Sequence, residues 1–302
     1  MTTEHTTNEE ILEVEEEIFG STEGVVEETH AETTEEVTHE VTLFSEPIFN
    51  VGGFTVTNSL LNSWIVVVAL VLFAVLFGRT IKKIPSKLQS MMEMIVDGAL
   101  KLADSVTGDR KKTLKIFPIV FIIFIFILVN NWLGIFPGIG SVGYITMHDG
   151  HQTFIPYFRG GTADFNATLA LALLAVIASN VFGILTVGIW KYFNKFVNVK
   201  ALAVVPRRMF KDPSIVFVNP IKFFVGIIEI IGEFAKIASL SFRLFGNVFA
   251  GEVLLASIAV IFAFAMPIPF IFLEIIVGLI QALIFAMLTL VYFTVASTAD
   301  EH

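Results

Sequence analysis

Long apolar runs alternate with short charged segments over most of the chain. A helix needs about 20 apolar residues to cross the hydrocarbon core of a bilayer. Runs that meet this requirement lie at about 60–78, 116–136, 165–190, 221–266 and 268–296. Pro267 and Pro269 separate the last two runs, because proline interrupts helical hydrogen bonding. The pattern predicts an all-α polytopic membrane protein with about five crossings.

The fourth run is too long for an upright helix. Its 46 residues, 221–266, would extend about 69 Å at about 1.5 Å per residue, more than twice the ~30 Å thickness of the hydrocarbon core. We therefore expect either one strongly tilted and bent helix or two separate pieces. Gly246 and Gly251 are the candidate bending points.

The segment 88–106, between the first two spans, has an amphipathic pattern. Its apolar positions recur at helical spacing, opposite a charged face. The apolar positions are Leu88, Met91, Met92, Ile95, Ala99, Leu102 and Val106, and the charged ones are Glu93, Asp97, Lys101 and Asp104. The pattern predicts a helix that lies on the inner membrane surface or against a partner. Packing against its own protein fits the pattern equally well.

Charge is distributed unevenly along the chain. The formal net charge is -9, but 15 of the 28 acidic residues lie between Glu4 and Glu46, where there is no Lys or Arg. The composition of the first 45 residues predicts an acidic, disordered external tail, and residues 46–302 form the predicted membrane domain. The tail lacks the basic and apolar regions of a signal peptide.

The positions of the basic residues predict the orientation. Nine Lys and Arg residues lie between Arg79 and Lys115, and seven lie between Lys191 and Lys222. The loop at 138–164 has only one, Arg159. Because basic loops stay on the cytoplasmic side, the N-terminus is expected outside and the C-terminus inside.

Polar residues interrupt the fourth run at SLSFRLFGNVFAGE, residues 239–252. An arginine inside the bilayer costs a few kcal/mol on insertion scales, so its presence indicates a function. At about 100° per residue, Asn247 shares the face of Arg243, whereas Glu252 points elsewhere. On the last run, Glu274, Gln281 and Tyr292 form a stripe on one side. The two long helices are expected to face each other along these polar positions.

Two interpretations fit these polar positions. One is a water-accessible proton path, with Glu252 and Glu274 at its outer level, Arg243 near the middle and further polar groups toward the inside. The inner groups are Ser239, Lys236, Glu233 and Glu229. The other is a set of helix-to-helix hydrogen bonds and local ion pairs such as Glu233 with Lys236. Arg243 has no acid three or four residues away and cannot lose its charge, so its counter-ion is expected elsewhere, for instance on another chain.

The stretch SLSFRLFGNVFAGE, residues 239–252, is similar to the sequence of a known family. Together with NPIKFFVGIIEIIGE at 219–233 and QALIFAMLTLVYFTVAS at 281–297, it resembles subunit a of the F-type ATP synthase, the membrane stator of that motor. The resemblance extends from about residue 60 to the end of the chain. It implies that Arg243 faces the ring of c subunits and that the fourth and fifth spans are long, tilted helices. Residues of the proton path would be Asn247, Glu252, Glu274 and Gln281 on the inlet side, Glu229 on the outlet side, and Ser239 and Tyr292.

The resemblance also implies partners and a location. The expected partners are the c-subunit ring, the b subunits of the peripheral stalk, the other ATP synthase subunits and the lipid bilayer, with no nucleic acid. The expected location is a bacterial cell (inner) membrane.

Many relatives pair an acid with a histidine at the positions of Glu252 and Glu274, whereas this chain has two acids there. Two neighbouring carboxylates cannot both ionise cheaply, so we expect them to share a proton. Protons are favoured over sodium as the transported ion.

The sequence shows no motif for disulfide, metal, nucleotide or catalytic chemistry. The chain has no cysteine, which excludes disulfides, thiolate metal sites and cysteine nucleophiles. It has no GxxxxGK[ST] loop for nucleotides, and we expect no cofactor, no metal site and no enzymatic activity of the chain by itself. Two alternatives stay open. One is a self-contained transporter or channel in which Arg243 binds an anionic substrate. The other is a scaffold for other subunits that tolerates substitution of Arg243.

Overall fold

The computed structural model describes residues 45–136, 138–148, 151–196, 215–261 and 266–298. The predicted acidic tail lies outside these residues except for Ser45. The strands are β1 (Pro47–Val51), β2 (Phe54–Thr57), β3 (Gly143–His148) and β4 (His151–Pro156). The helices are α1 (Asn58–Thr80), α2 (Lys87–Thr107), α3 (Arg110–Ile135), α4 (Phe165–Val187), α5 (Ile189–Phe196), α6 (Ile215–Ile261) and α7 (Pro267–Ser297).

Five helices in the described part of the chain are long and apolar enough to cross a membrane. They are α1, α3, α4, the segment Phe224–Ile261 of α6, and α7. This confirms the predicted mostly helical, polytopic class with five crossings. The helix ends lie within a few residues of the predicted runs, with α3 beginning six residues earlier because its first turn is charged.

Two short hairpins accompany the helices and were not predicted. β1 and β2 pair antiparallel across Gly52 and Gly53, whose φ angles of 58° and 90° suit glycine. β3 and β4 form a second two-stranded sheet. The tip of that hairpin, 146–153, belongs to a separate compact unit, and all further description concerns the other unit. In strands of four to six residues the alternation of apolar and polar positions is too short to be recognised beside long apolar runs.

The described part of the fourth run, 221–261, lies in one continuous helix. α6 extends over 47 residues, so the alternative of two separate pieces is wrong. Gly246 and Gly251 both lie within the helix, because glycine weakens an α-helix by only about 1 kcal/mol and packing outweighs that cost. Pro267 is the first residue of α7, where its missing N–H is harmless, so the predicted boundary between the long helices is confirmed.

The core lies between α3, α4, α6 and α7, and α7 contacts the other three. One buried cluster joins all four helices and a second joins α2, α3 and α7. The first contains Ile123, Ile127, Leu128, Ala172, Ala175, Leu240, Leu244, Ala282 and Phe285. The second contains Ala103, Ile116, Val120, Ala286, Leu290 and Phe293. Both α4 and α7 place alanines at the contacts, and small side chains allow helices to pack closely in membranes.

The amphipathic helix α2 packs on its own protein through part of its apolar face. Ala103 is buried against α3 and α7, whereas Leu88, Met91 and Ile95 are 49–56% exposed. Ser86 caps its first turn by accepting a hydrogen bond from the Gln89 N–H, and Gly108 ends the helix with a φ of 67°. The N-terminal half of the apolar face stays uncovered in the described structure.

Gly183 of α4 lies at a tight contact with α5 and α7, and substituting it tests how closely these helices pack. A Cβ atom there would lie 2.5 Å from the Tyr192 ring and 2.9 Å from the Ala296 carbonyl oxygen. We expect Gly183→Ala to destabilise the chain by about 1–3 kcal/mol, because overpacking must shift the ring and the backbone. Thermal unfolding in detergent would measure the loss. Gly98→Ala is the matched control, since nothing lies within 4 Å of a Cβ there and a similar drop would contradict the packing.

Candidate functional site

Arg243 lies near the middle of the spanning segment of α6, on its exposed side. Leu240 and Leu244 are 0–1% exposed and anchor the other side of the helix in the core. Arg243 Nη2 donates a long hydrogen bond of 3.5 Å to Ser239 Oγ. Among the described residues no carboxylate lies within ion-pair distance of the guanidinium. The described chain therefore leaves this charge without a counter-ion.

Small residues surround Arg243 on the same exposed surface. The Arg243 face consists of Ser239, Arg243, Gly246, Asn247 and Ala250, all of them exposed. Small side chains let a neighbouring helix approach closely in a membrane. This face can therefore accommodate a helix of another chain near the guanidinium.

Asn247 and Gln281 join the two long helices. Asn247 Nδ2 donates a hydrogen bond of 2.5 Å to Gln281 Oε1, and Gln281 is only 2% exposed. This confirms that α6 and α7 face each other along polar positions. Within the described residues the Gln281 amide nitrogen is buried without a hydrogen-bond partner, so a polar ligand such as water is expected there.

Glu252 forms a partly buried ion pair that the sequence did not predict. Arg159, from the loop 157–164, donates from Nε to both carboxylate oxygens at 3.0 and 3.2 Å and from Nη2 to Oε2 at 2.8 Å. Arg159 is 6% exposed. The end of the helix bundle at which this loop lies is called the loop end below. Fork-like contacts of this kind fix both partners in orientation.

Two glycines bring the Arg159 loop close to the helices. A Cβ on Gly134 of α3 would come within 2.8 Å of the Gly160 backbone, and a Cβ on Gly161 would come within 2.6 Å of Asn130 Oδ1. Larger side chains at these positions would push the loop away from α3. The Gly-Gly sequence after Arg159 therefore allows its guanidinium to reach α6 from the loop.

Glu274 lies beside this ion pair. Its carboxyl group packs against Gly251, where a Cβ would lie 2.7 Å from the Glu274 carboxyl carbon. Glu274 lies close enough to Glu252 for the two carboxyl groups to interact electrostatically, and its Oε2 is buried without a hydrogen-bond partner among the described residues. The two acids at the loop end are thus neighbours, as expected, but only Glu252 has a cation.

Further polar side chains at the loop end were missed by sequence reasoning. Asn131 Nδ2 donates to the Gly278 carbonyl at 3.0 Å, and Thr162 Oγ1 donates to Asn131 Oδ1 at 2.6 Å. Asn62 is 1% exposed and both of its amide atoms lack a partner among the described residues. Asparagines inside apolar runs were the signal that could have identified these positions. Buried polar groups in proteins usually hydrogen-bond to another polar group or to water.

A second polar network lies toward the opposite end of the bundle. Lys236 Nζ pairs with Glu233 Oε1 at 2.7 Å and lies 5.3 Å from the centre of the Tyr292 ring. Asn180 Nδ2 donates to Glu233 Oε2 at 3.2 Å, and the Tyr192 hydroxyl donates to Asn180 Oδ1. Burial, followed by the Glu233 and Glu229 carboxylates, raises the pKa of Tyr192 to about 12. Tyr192 on α5 is therefore neutral at physiological pH and remains a hydrogen-bond donor.

The structure brings the predicted site residues together in four groups. Ser239 accompanies Arg243, Asn247 bonds to Gln281, and Glu252 adjoins Glu274. Toward the opposite end, Glu229 and Tyr292 lie near the Lys236–Glu233 pair. The local pair of Glu233 with Lys236 is confirmed. The functional roles of these residues stay predictions.

Comparisons with known proteins agree with these observations. A family model described as ATP synthase A chain matches residues 60–294. The chain is 31% identical over 240 residues to "ATP synthase subunit a 1" of Pelobacter propionicus, covering 80% of this chain and 87% of that protein. It is 30% identical over 252 residues to "ATP synthase subunit a" of Syntrophobacter fumaroxidans, with 83% and 87% covered. It is also 30% identical over 264 residues to the chloroplastic "ATP synthase subunit a" of Stigeoclonium helveticum, with 87% and 93% covered.

Proposed function

Since this chain belongs to the ATP synthase A chain family, we propose that it is the stator subunit whose two offset half-channels and Arg243 couple proton flow to rotation of a c-subunit ring. Membership of the family makes the chain a multi-pass, proton-translocating subunit of the membrane sector that assembles with other ATP synthase subunits and is not itself catalytic. The location is a bacterial membrane.

The exposed, unneutralised Arg243 is the observation that supports this proposal most. A charged side chain near the bilayer centre costs about 2.5–3.5 kcal/mol on insertion scales unless an anion or water compensates it. Since no acid of the described chain approaches Arg243, a carboxylate on a rotor helix at the Arg243 face would supply the compensation. A cation within about 4–6 Å in turn favours the ionised form of that carboxylate.

The polar groups at the two ends of the bundle suggest the two half-channels. A proton enters at the loop end past Glu252 and Glu274, continues along Asn247 and Gln281, and neutralises a rotor carboxylate. After nearly a full rotation Arg243 draws that carboxylate back into its charged form. The proton then leaves at the opposite end, past Ser239, Tyr292 and Glu229.

Arg243 also separates the half-channels in this mechanism. A fixed cation repels a proton that would pass directly from one half-channel to the other, so transport requires rotation. Because basic segments favour the cytoplasmic side, the proposed orientation has the N-terminus outside and the C-terminus in the cytoplasm. With 47 residues in one helix, α6 is proposed to tilt steeply along the ring. The remaining partners are the b subunits of the peripheral stalk.

Purification in mild detergent followed by reconstitution tests the proposal. We expect small hairpin subunits with a membrane-buried carboxylate to co-purify with the chain. We also expect vesicles with the whole complex to make ATP when a proton gradient is imposed, and vesicles with the chain alone to be inactive. Substrate-dependent flux through the chain alone would instead support a self-contained transporter.

A further inference from the structure

The two neighbouring acids at the loop end have unequal surroundings. Glu252 receives three hydrogen bonds of 2.8–3.2 Å from Arg159. Glu274 has no base within ion-pair distance among the described residues, and its Oε2 is buried without a partner. One acid is thus neutralised by a cation of its own chain, and the other is not.

We propose that Arg159 is a positioning residue that holds Glu252 in its ionised form, so that Glu274 alone binds and releases the protons passing this point. Arginine keeps its charge under all physiological conditions, and its planar fork matches a carboxylate. Two adjacent carboxylates without a cation would compete for one proton. This assignment rests on the proposed function, because it takes the loop end to be the proton inlet.

The burial of Arg159 distinguishes this pair from an ordinary surface ion pair. Exposed ion pairs contribute little because water and salt screen them. Arg159 is 6% exposed, and the side chain of Glu252 is 30% exposed, so the pair is largely shielded. Separating the partners of a buried ion pair is costly. Glu252 is therefore committed to Arg159 and is poorly suited to exchange protons.

The position of Glu274 suits a proton carrier. It lies on α7 seven residues before Gln281, about 10 Å along the helix, and Gln281 contacts Asn247 four residues from Arg243. Its carboxyl group packs against Gly251, and no base of the described residues lies within ion-pair distance of it. Glu274 therefore lies between the loop end and the Arg243 face, where a proton must pass.

Carbodiimide labelling of the intact complex tests the charge states directly. Dicyclohexylcarbodiimide reacts with protonated carboxyl groups in apolar surroundings, and peptide mass spectrometry separates the labels on Glu252 and Glu274. In the unmodified complex we expect at least tenfold more label on Glu274 than on Glu252. Arg159→Gln is expected to raise labelling of Glu252 at least fivefold, and Arg159→Lys, which retains a cation, should leave it low.

Proton transport by the same complexes gives a second readout. Glu252→Gln removes the carboxylate that Arg159 binds and leaves Glu274 as the remaining acid near this guanidinium, which favours the ionised form of Glu274, so we expect transport to fall about fivefold. Arg159→Gln combined with Glu252→Gln removes both charges, and transport should recover at least threefold over Glu252→Gln alone. A merely structural role of the pair predicts that the double variant is no better than either single one.

Equal labelling of both acids in the unmodified complex would overturn the assignment, as would unchanged labelling in Arg159→Gln. A double variant as slow as Glu252→Gln would also overturn it. The labelling does not depend on transport. An unmodified complex that carries no protons would therefore refute the proposed function, while the label on Glu252 and Glu274 would still decide the role of Arg159.

Discussion

Arg243→Ala is expected to abolish proton-driven ATP synthesis by the reconstituted complex. The loss should be at least about a hundredfold, because removing a preorganised charge from a reacting site has effects of that size. The substitution removes the cation that would draw the rotor carboxylate into its charged form. It also removes the barrier between the half-channels, so passive proton permeability of the vesicles should rise. Both quantities can be measured after an imposed pH jump.

Arg79→Ala provides a matched control for this variant. Arg79 is an exposed arginine in the last turn of α1, so the chemical change is the same at a site without a proposed role. Its complex should synthesise ATP at an unchanged rate. Retained synthesis in Arg243→Ala, with a normally assembled complex, would refute the role of Arg243 and favour a scaffold function.

The spans were predictable from the sequence because their signal is local. A run of about 20 apolar residues has few structural alternatives, and Pro267 marks the break between the long helices. The hairpins were not predictable, since β1 and β2 have only five and four residues. Local sequence left open whether α6 is continuous, because it does not show the packing of residues such as Leu240 and Leu244 in the core.

The site was predictable where two polar residues share a helix face, and it was missed where a distant loop contributes. The stripe on α7 and the face of Arg243 follow from helical periodicity, and the Asn247–Gln281 bond joins them. Arg159 comes from a loop 93 residues away from Glu252, so no spacing rule could pair them. Its only signal was that it is the single basic residue between 138 and 164.

Gly251→Ala should slow proton transport strongly although it adds only one methyl group. The new Cβ would lie 2.7 Å from the carboxyl carbon of Glu274, so the carboxyl group would have to move. A displacement of about 1 Å at a reacting group can reduce its rate by up to about a hundredfold. Because the Glu274 carboxyl group is displaced, we expect proton transport by the reconstituted complex to fall roughly 10- to 100-fold.

The fold should tolerate Gly251→Ala, because the displaced atoms are the far end of a flexible side chain and alanine favours a helix. Assembly and thermal stability should therefore be unchanged while transport falls. Gly232→Ala is the matched control on the same helix, since nothing lies within 4 Å of a Cβ at that position. Equal transport by the two variants would mean that the position of the Glu274 carboxyl group does not limit proton passage.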